Sequence, residues 1–182
     1  IVYVSANPQL HKIDSAFHNR IRLWETHWDD DLQTVLPSSV VNQTIKTAQR
    51  YPHKRIIIHF IQPHYPFIGE TGQQIRQGSF TGDGQIKEKT EYPTVWQRFE
   101  AGDLDEDTVR RAYRENAELA VEGAKQIVET LEGKSVVTSD HGNAFGEWGV
   151  YGHPIKKYLT PLVKVPWLVA DAEVRSPEDL NI

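Results

Sequence analysis

The sequence predicts an α/β fold built on a mainly parallel sheet, and three stretches predict it. Arg55–Ile61 (RIIIHFI) is almost wholly apolar, as a central parallel strand covered on both faces is. Asp105–Leu131 carries apolar residues at Val109, Tyr113, Ala117, Ala120, Ala124, Ile127 with Val128, and Leu131, in helical steps. Ser135–Thr138 follows at once as a short strand. Strand, helix, strand in that order is a βαβ crossover, here with an insertion after its first strand.

The remaining elements follow in chain order. Ile1–Val4 is β-branched and aromatic, hence a buried strand, and Ser5-Ala6-Asn7-Pro8 ends it. Ile21–Trp24 reads as a second short strand and His27–Asp31 as a polar, acidic loop. A helix starts at Pro37, shows Val41, Ile45 and Ala48 on one face, and ends near Tyr51-Pro52. After Arg55–Ile61 comes a loop, Gln62–Phe67, stiffened by two prolines. Residues 68–92 are polar and glycine-containing, an excursion or lid with a turn at Thr81–Gly84. The long helix opens among Asp103, Asp105, Glu106 and Asp107 and stops at Gly133. Ser139–Tyr158 is a loop rich in Gly and His. Val165–Ala170 is a last strand, and Pro166 puts it at a strand start or a sheet edge. No linker divides residues 1–182, so they read as one domain or a large piece of one.

Composition excludes several functions. Twenty basic residues against 25 acidic ones leave a net charge of −5, with no basic cluster, which argues against nucleic acid. The chain has no Cys, so it has no disulfide, no thiolate zinc site and no cysteine nucleophile. No stretch approaches the roughly 20 apolar residues of a membrane span. Ile1–Val4 is too short for the apolar part of a signal peptide, and the expected location is the cytoplasm. The chain has no Met and opens on Ile within a strand, so its start is expected to lie inside a domain. Composition sets no oligomeric state.

Ligands gather at the carboxyl ends of strands in open α/β sheets. Two polar clusters fall there, His59 with His64 and Ser139–Asn143. Asp140 and His141 place a carboxylate oxygen beside an imidazole nitrogen, a donor set that suits Zn²⁺ or Mn²⁺ better than Ca²⁺. His153 can return to the same ion. The plainer alternative is that Asp140 caps a turn and His141 is solvated. His64, in the rigid loop, reads as a metal ligand or a donor to phosphate oxygen. His59 interrupts an apolar strand, where an unpaired imidazole is costly; it is either a core residue with a backbone partner or a contact to substrate. Lys156 or Lys157 can neutralise an anionic substrate. Asn143 and Glu147 can orient ligand side chains, and Trp148 and Tyr151 can wall a pocket. His59, Asn143 and Lys157 are the candidates for substrate binding. Asp29-Asp30-Asp31 is a cation attractor or, more simply, a solvated turn. His11, His18, His27 and His53 read as surface residues.

Taken together, Thr138–Asn143 (TSDHGN), Phe145-Gly146-Glu147, Tyr151–Pro154 (YGHP) and Val165–Val169 (VPWLV), after His59–Pro66 (HFIQPHYP), form an ordered set. In order and rough spacing they resemble the sulfatase-like branch of the alkaline phosphatase superfamily, and its small archaeal hydrolases in texture. The resemblance implies a three-layer α/β/α fold with a mainly parallel sheet. It implies that Asp140 and His141 bind metal and that His64 binds metal or a substrate oxygen. His153 stands where phosphatase-like members hold a metal-binding His and sulfatases often carry Lys, which favours phosphate or phosphonate esters. The family's nucleophile (Ser, Thr or a Cys converted to formylglycine) sits near the N-terminus beside the first sheet strand, just after a metal-binding Asp. No such unit is present here, and the Cys-x-Pro-x-Arg signature is absent. The resemblance therefore implies a domain lacking its N-terminal strand and nucleophile unit, with the nucleophile upstream.

The expected function is metal-dependent hydrolysis of a small anionic sulfate, phosphate or phosphonate ester through a covalent intermediate. This chain alone is expected to be inactive. Two alternatives stand beside it: a non-catalytic metal- or anion-binding domain on the same scaffold, and a phosphotransferase or mutase of the same superfamily.

Overall fold

The computed structural model describes residues 1–12, 17–75, 77–78 and 93–171. The chain runs through β1 (Val2–Ser5), β2 (Asn19–Arg22), a hairpin of β3 (Trp28–Asp29) and β4 (Thr34–Val35), α1 (Pro37–Arg50) and β5 (Ile56–His59). It continues with α2 (Glu70–Gln74), α3 (Val95–Glu100), α4 (Glu106–Thr130) and β6 (Ser135–Thr138). A second hairpin of β7 (Ala144–Phe145) and β8 (Tyr151–Gly152), then α5 (Thr160–Val163) and β9 (Trp167–Ala170), completes it. The protein is thus α/β, with a three-stranded parallel sheet and five α-helices among the described residues.

The sheet order is β2-β1-β5. Val2 pairs with Ile56 and Ser5 with His59, so β1 and β5 end level with one another. The central strand is therefore β1, whose Val2 and Val4 are wholly buried. The apolar run Arg55–Ile61 suggests a central strand, yet among the described residues β5 pairs only with β1 and leaves Ile57 40% exposed. Helix α1 packs on both strands. Its Val40, Val41, Thr44 and Thr47 point inward.

Two further expectations change. The second strand is Asn19–Arg22, and Leu23–Glu25 forms a 3-10 turn that drives Leu23 and Trp24 into the first core with Val4, Val35 and Val40. Strand β6 does not join the parallel sheet as the crossover reading expects. It pairs antiparallel with β9, Ser135 opposite Ala170 and Thr138 opposite Trp167. The Thr138 hydroxyl donates to the Pro166 carbonyl at 2.7 Å and closes that ribbon. Pro166 thus lies just ahead of β9, where its missing N–H costs no ladder bond. The acidic run is a turn: one Asp29 carboxylate oxygen accepts the N–H groups of Asp31 and Leu32 between β3 and β4.

Helix α4 is the longest element. Asp105 caps it, its carboxylate accepting from the Thr108 N–H at 2.8 Å. The buried line along it is Val109, Ala112, Asn116, Gly123 and Ile127. Gly123 sits so close to α1 and Phe60 that a β-carbon there would come within 3.0 Å of the Phe60 ring. The second core forms around Phe67, Trp96, Val109 and Ala112. Within the expected excursion, α2 is tied to α4, because the Glu115 carboxylate accepts from the Thr71 N–H and hydroxyl at 2.7 and 2.6 Å. The turn expected at Thr81–Gly84 lies outside the described residues. Among the described residues no helix is long and apolar enough to cross a membrane.

Truncating the fully buried Leu23 to Ala is expected to cost about 3 kcal/mol in urea denaturation. Val136→Ala, on the exposed face of β6, should cost less than about 0.5 kcal/mol.

Candidate functional site

The carboxyl end of β5 delivers His59, and the loop beyond it delivers His64. Two bonds lock this loop into the fold. The His64 N–H closes a turn on the Ile61 carbonyl, and the buried Gln62 amide donates to the Val35 carbonyl at 3.1 Å. Asn116 of α4, wholly buried, then reaches in from the side. Its Nδ2 donates to the His64 carbonyl at 2.9 Å, and its Oδ1 accepts from the Ile68 N–H at 3.0 Å.

The end of β6 delivers Asp140 and His141. The Ser139 hydroxyl donates to the His141 carbonyl, and one Asp140 oxygen accepts the His141 N–H at 3.0 Å. That oxygen lies 3.8 Å from His141 Nε2. The turn-capping contact is thus present, and the carboxylate remains exposed. Gly142 is needed for proximity: its N–H donates to the Leu162 carbonyl, and a β-carbon would fall 2.1 Å from the Pro161 carbonyl oxygen. The β7–β8 hairpin then turns the chain back and returns His153.

These segments bring three imidazoles together. The His153 ring lies 4.2 Å from that of His141 and 5.4 Å from that of His64, centre to centre. In each ring a carbonyl oxygen occupies Nδ1. His64 meets the Tyr65 carbonyl, His141 the Gly142 carbonyl at 2.9 Å, and His153 the Asn143 side-chain oxygen at 2.8 Å. A carbonyl can only accept, so each Nδ1 carries the proton and each neutral ring keeps its lone pair on Nε2. The other end of the Asn143 amide donates to the Tyr113 hydroxyl at 3.3 Å, which fixes its orientation. His59 differs, for its Nδ1 faces the Tyr3 hydroxyl at 3.0 Å.

Burial governs the protonation of His59, His64 and His153. It pushes His153 down to about 4, with His141 and His64 pushing the same way and Asp140 opposing. Burial also lowers His64 and His59. The His141 charge adds to both shifts, and Asp140 opposes both. Burial raises the Tyr3 and Tyr113 phenols, and Asp140 raises both further.

Asp140, His141, His153, His64, His59 and Asn143 therefore share one region of the molecule. Lys157 is exposed on the loop past His153, and among the described residues no ion pair or hydrogen bond ties it to the imidazoles. Glu147 does not orient a histidine: its carboxylate accepts the Phe145 N–H and pairs with Arg110 at 3.7 Å. Trp148 is exposed, and Tyr151 packs edge-on against Phe99. His18, His27 and His53 are exposed, as expected of surface residues. Among the described residues no three His, Asp or Glu side chains form a group already drawn together around a metal position.

Three residues of the site escape the sequence reading. Tyr3 and Tyr113 pass for core aromatics, and Asn116 is hidden among apolar positions. The one available signal is that Asn116 falls four residues after Ala112 and seven before Gly123, on the buried face, where an amide needs partners. No family model, curated protein or solved structure matches this chain.

Two outcomes follow. Asn116→Leu leaves the Ile68 N–H and the His64 carbonyl buried without partners, so it should cost about 3 kcal/mol in urea denaturation. The His64–His153 ring contact should also vanish from nuclear Overhauser spectra. For pH, a histidine held below its ordinary value of 6.5 binds fewer protons folded than unfolded. Its contribution is complete above 6.5 and is lost as pH falls toward about 4. The denaturation midpoint should therefore drop across that window, less steeply in His153→Gln, and His153 should titrate near about 4 by NMR.

Proposed function

We propose that this chain carries the metal-binding part of a hydrolase acting on small anionic phosphate, phosphonate or sulfate esters. On this reading Asp140, His141, His153 and His64 hold a divalent ion, Zn²⁺ or Mn²⁺ before Ca²⁺. The observation that carries it is the shared arrangement of three neighbouring imidazoles, each with Nδ1 engaged by a carbonyl oxygen. Metal-ligating histidines characteristically donate their second nitrogen to such an acceptor, which fixes the ring and presents Nε2. Burial keeps His64 and His153 neutral near pH 7, the form that binds metal. The donor set of imidazole nitrogen and carboxylate oxygen fits the same ions. The complete three-layer α/β/α arrangement of alkaline-phosphatase-like proteins, with a nucleophile supplied from outside this chain, belongs to the same proposal.

A bound ion would supply Lewis-acid polarisation of an ester oxygen and a lowered pKa for a nucleophile. The chain's own residues have more limited tasks. Asn143 keeps His153 in one tautomer and one orientation. Asn116 fixes the loop that presents His64. Exposed Asp140 contributes the negative charge that a cation neutralises. His59 lies within electrostatic range of Asp140 and His141 and can donate to an anionic oxygen.

One observation favours a second reading, a metal- or anion-binding domain without chemistry of its own. The two serine hydroxyls at the strand ends are already engaged: Ser5 accepts the Asn7 N–H, and Ser139 donates to the His141 carbonyl. Neither is placed as a free nucleophile.

The deciding experiment is metal content by mass spectrometry after dialysis against zinc or manganese, wild type beside Asp140→Ala/His141→Ala. Near-stoichiometric metal in wild type, lost in a double variant that keeps its circular dichroism, is the expected result. Wild type that takes up neither metal sinks the reading. Release of nitrophenol from nitrophenyl phosphate and sulfate by the metal-loaded chain joined to the segment that would supply the nucleophile separates the hydrolase from the binding domain.

A further inference from the structure

The four histidines near the site divide by the chemistry that faces Nδ1. In three of them that partner is a carbonyl oxygen, which can only accept. In His59 it is the Tyr3 hydroxyl, at 3.0 Å. A phenol differs from a carbonyl because it has a proton to give. Tyr3 stands next to Val4 on the central strand, half-buried, and its ring makes a T-shaped contact with that of Phe17, centres 5.1 Å apart. Among the described residues its hydroxyl has no hydrogen-bond partner but His59. If His59 Nδ1 carried the proton, the phenol proton would be left with no acceptor there. A phenol O–H is also a better donor than an imidazole N–H, and an imidazole nitrogen a better acceptor than a phenol oxygen. The phenol therefore donates, Nδ1 accepts, and the proton of the neutral imidazole resides on Nε2.

That tautomer is the opposite of the one in His64, His141 and His153. A neutral imidazole protonated at Nε2, with Nδ1 already occupied, has no lone pair to offer a metal. It has a hydrogen-bond donor. The ring lies within electrostatic range of Asp140 and His141, two of the metal-ligand candidates.

We propose that Tyr3 is a positioning residue that holds His59 as an Nε2–H donor to an ester oxyanion, in the tautomer opposite to that of His64, His141 and His153, the histidines that would hold the metal. The inference rests on the metal-dependent reading for its oxyanion, but the tautomer itself does not depend on a bound ion.

The test is a two-bond ¹⁵N–¹H correlation spectrum of the metal-free chain, labelled on histidine, at about pH 7.5 where neutral imidazole dominates. His59 is expected to show a protonated Nε2 and an unprotonated Nδ1, while His64, His141 and His153 show the reverse. In Tyr3→Phe, which keeps the ring and removes the hydroxyl, His59 should become a mixture of tautomers. Isothermal titration of the zinc-loaded chain with inorganic phosphate adds the functional readout. Tyr3→Phe should bind phosphate roughly fivefold more weakly, with zinc content unchanged. A protonated Nδ1 on His59 in wild type overturns the proposal, and so does an unaltered phosphate affinity in a folded Tyr3→Phe. A wild-type chain that takes up no zinc overturns the metal reading instead, and the metal-free spectrum still decides the tautomer.

Discussion

The site depends on one helix holding two loops at once. Helix α4 sends Asn116 to the loop after β5 and Tyr113 to the loop after β6. The two residues lie three apart, so they share one helical face. Asn116 grips the backbone of His64 directly. Tyr113 acts through Asn143, whose amide carries the constraint on to His153. Without this common support the loops belong to different sheets, because β5 pairs with β1 and β6 with β9. Gly123 serves the same end further along, letting the helix settle against Phe60 and Val41. The packing of α4 on α1 and α2 is thus also the alignment of His64 with His153.

The electrostatic character of the region follows from that packing. Three imidazoles at ring distances near van der Waals contact would repel one another if charged. Burial disfavours the charge on His64 and His153, and the acceptors at Nδ1 decide where the proton of each neutral ring sits. Asp140 stays in solvent and supplies the only negative charge whose influence reaches His59, His64, His153, Tyr3 and Tyr113 alike among the described residues. An ordered nitrogen cluster beside a solvated carboxylate is a low-cost arrangement for a fold that presents several histidines to one ligand.

How far the sequence could be read depended on where each signal lies. Helices α1 and α4 were legible to within a residue or so, because Pro37, Asp105 and the helical spacing of apolar side chains act locally. The strand starting at Val2, the strand from Ile56 and Ser135–Thr138 were legible for the same reason. The pairing of β6 was not, since strand–helix–strand order is silent about which edge a strand finally meets. The apolar run of β5 gave the wrong position in the sheet, because hydropathy reports how much of a strand can be covered and not what covers it. Residue type and strand-end placement marked Asp140, His141, His153 and His64 as candidates, and the fold brings them near one another. Asn116, Tyr113 and Tyr3 could not be marked that way: their roles come from contacts 30 to 56 residues away in sequence, and their residue types suit an ordinary helix or strand.

The Asn116 contacts also say something about folding order. The bonds from Asn116 close loops of 48 and 52 residues, so they form only after the chain has met a substantial entropic cost. Local elements such as α4 and the β3–β4 hairpin can appear early; the loop carrying His64 cannot become fixed until the helix has docked. In hydrogen-exchange terms, the Ile68 amide is protected only while α4 is seated. Its opening free energy measures helix docking, whereas the amides of β1 report on the sheet. Transient undocking of one helix would therefore dismantle the histidine cluster while leaving β2-β1-β5 intact.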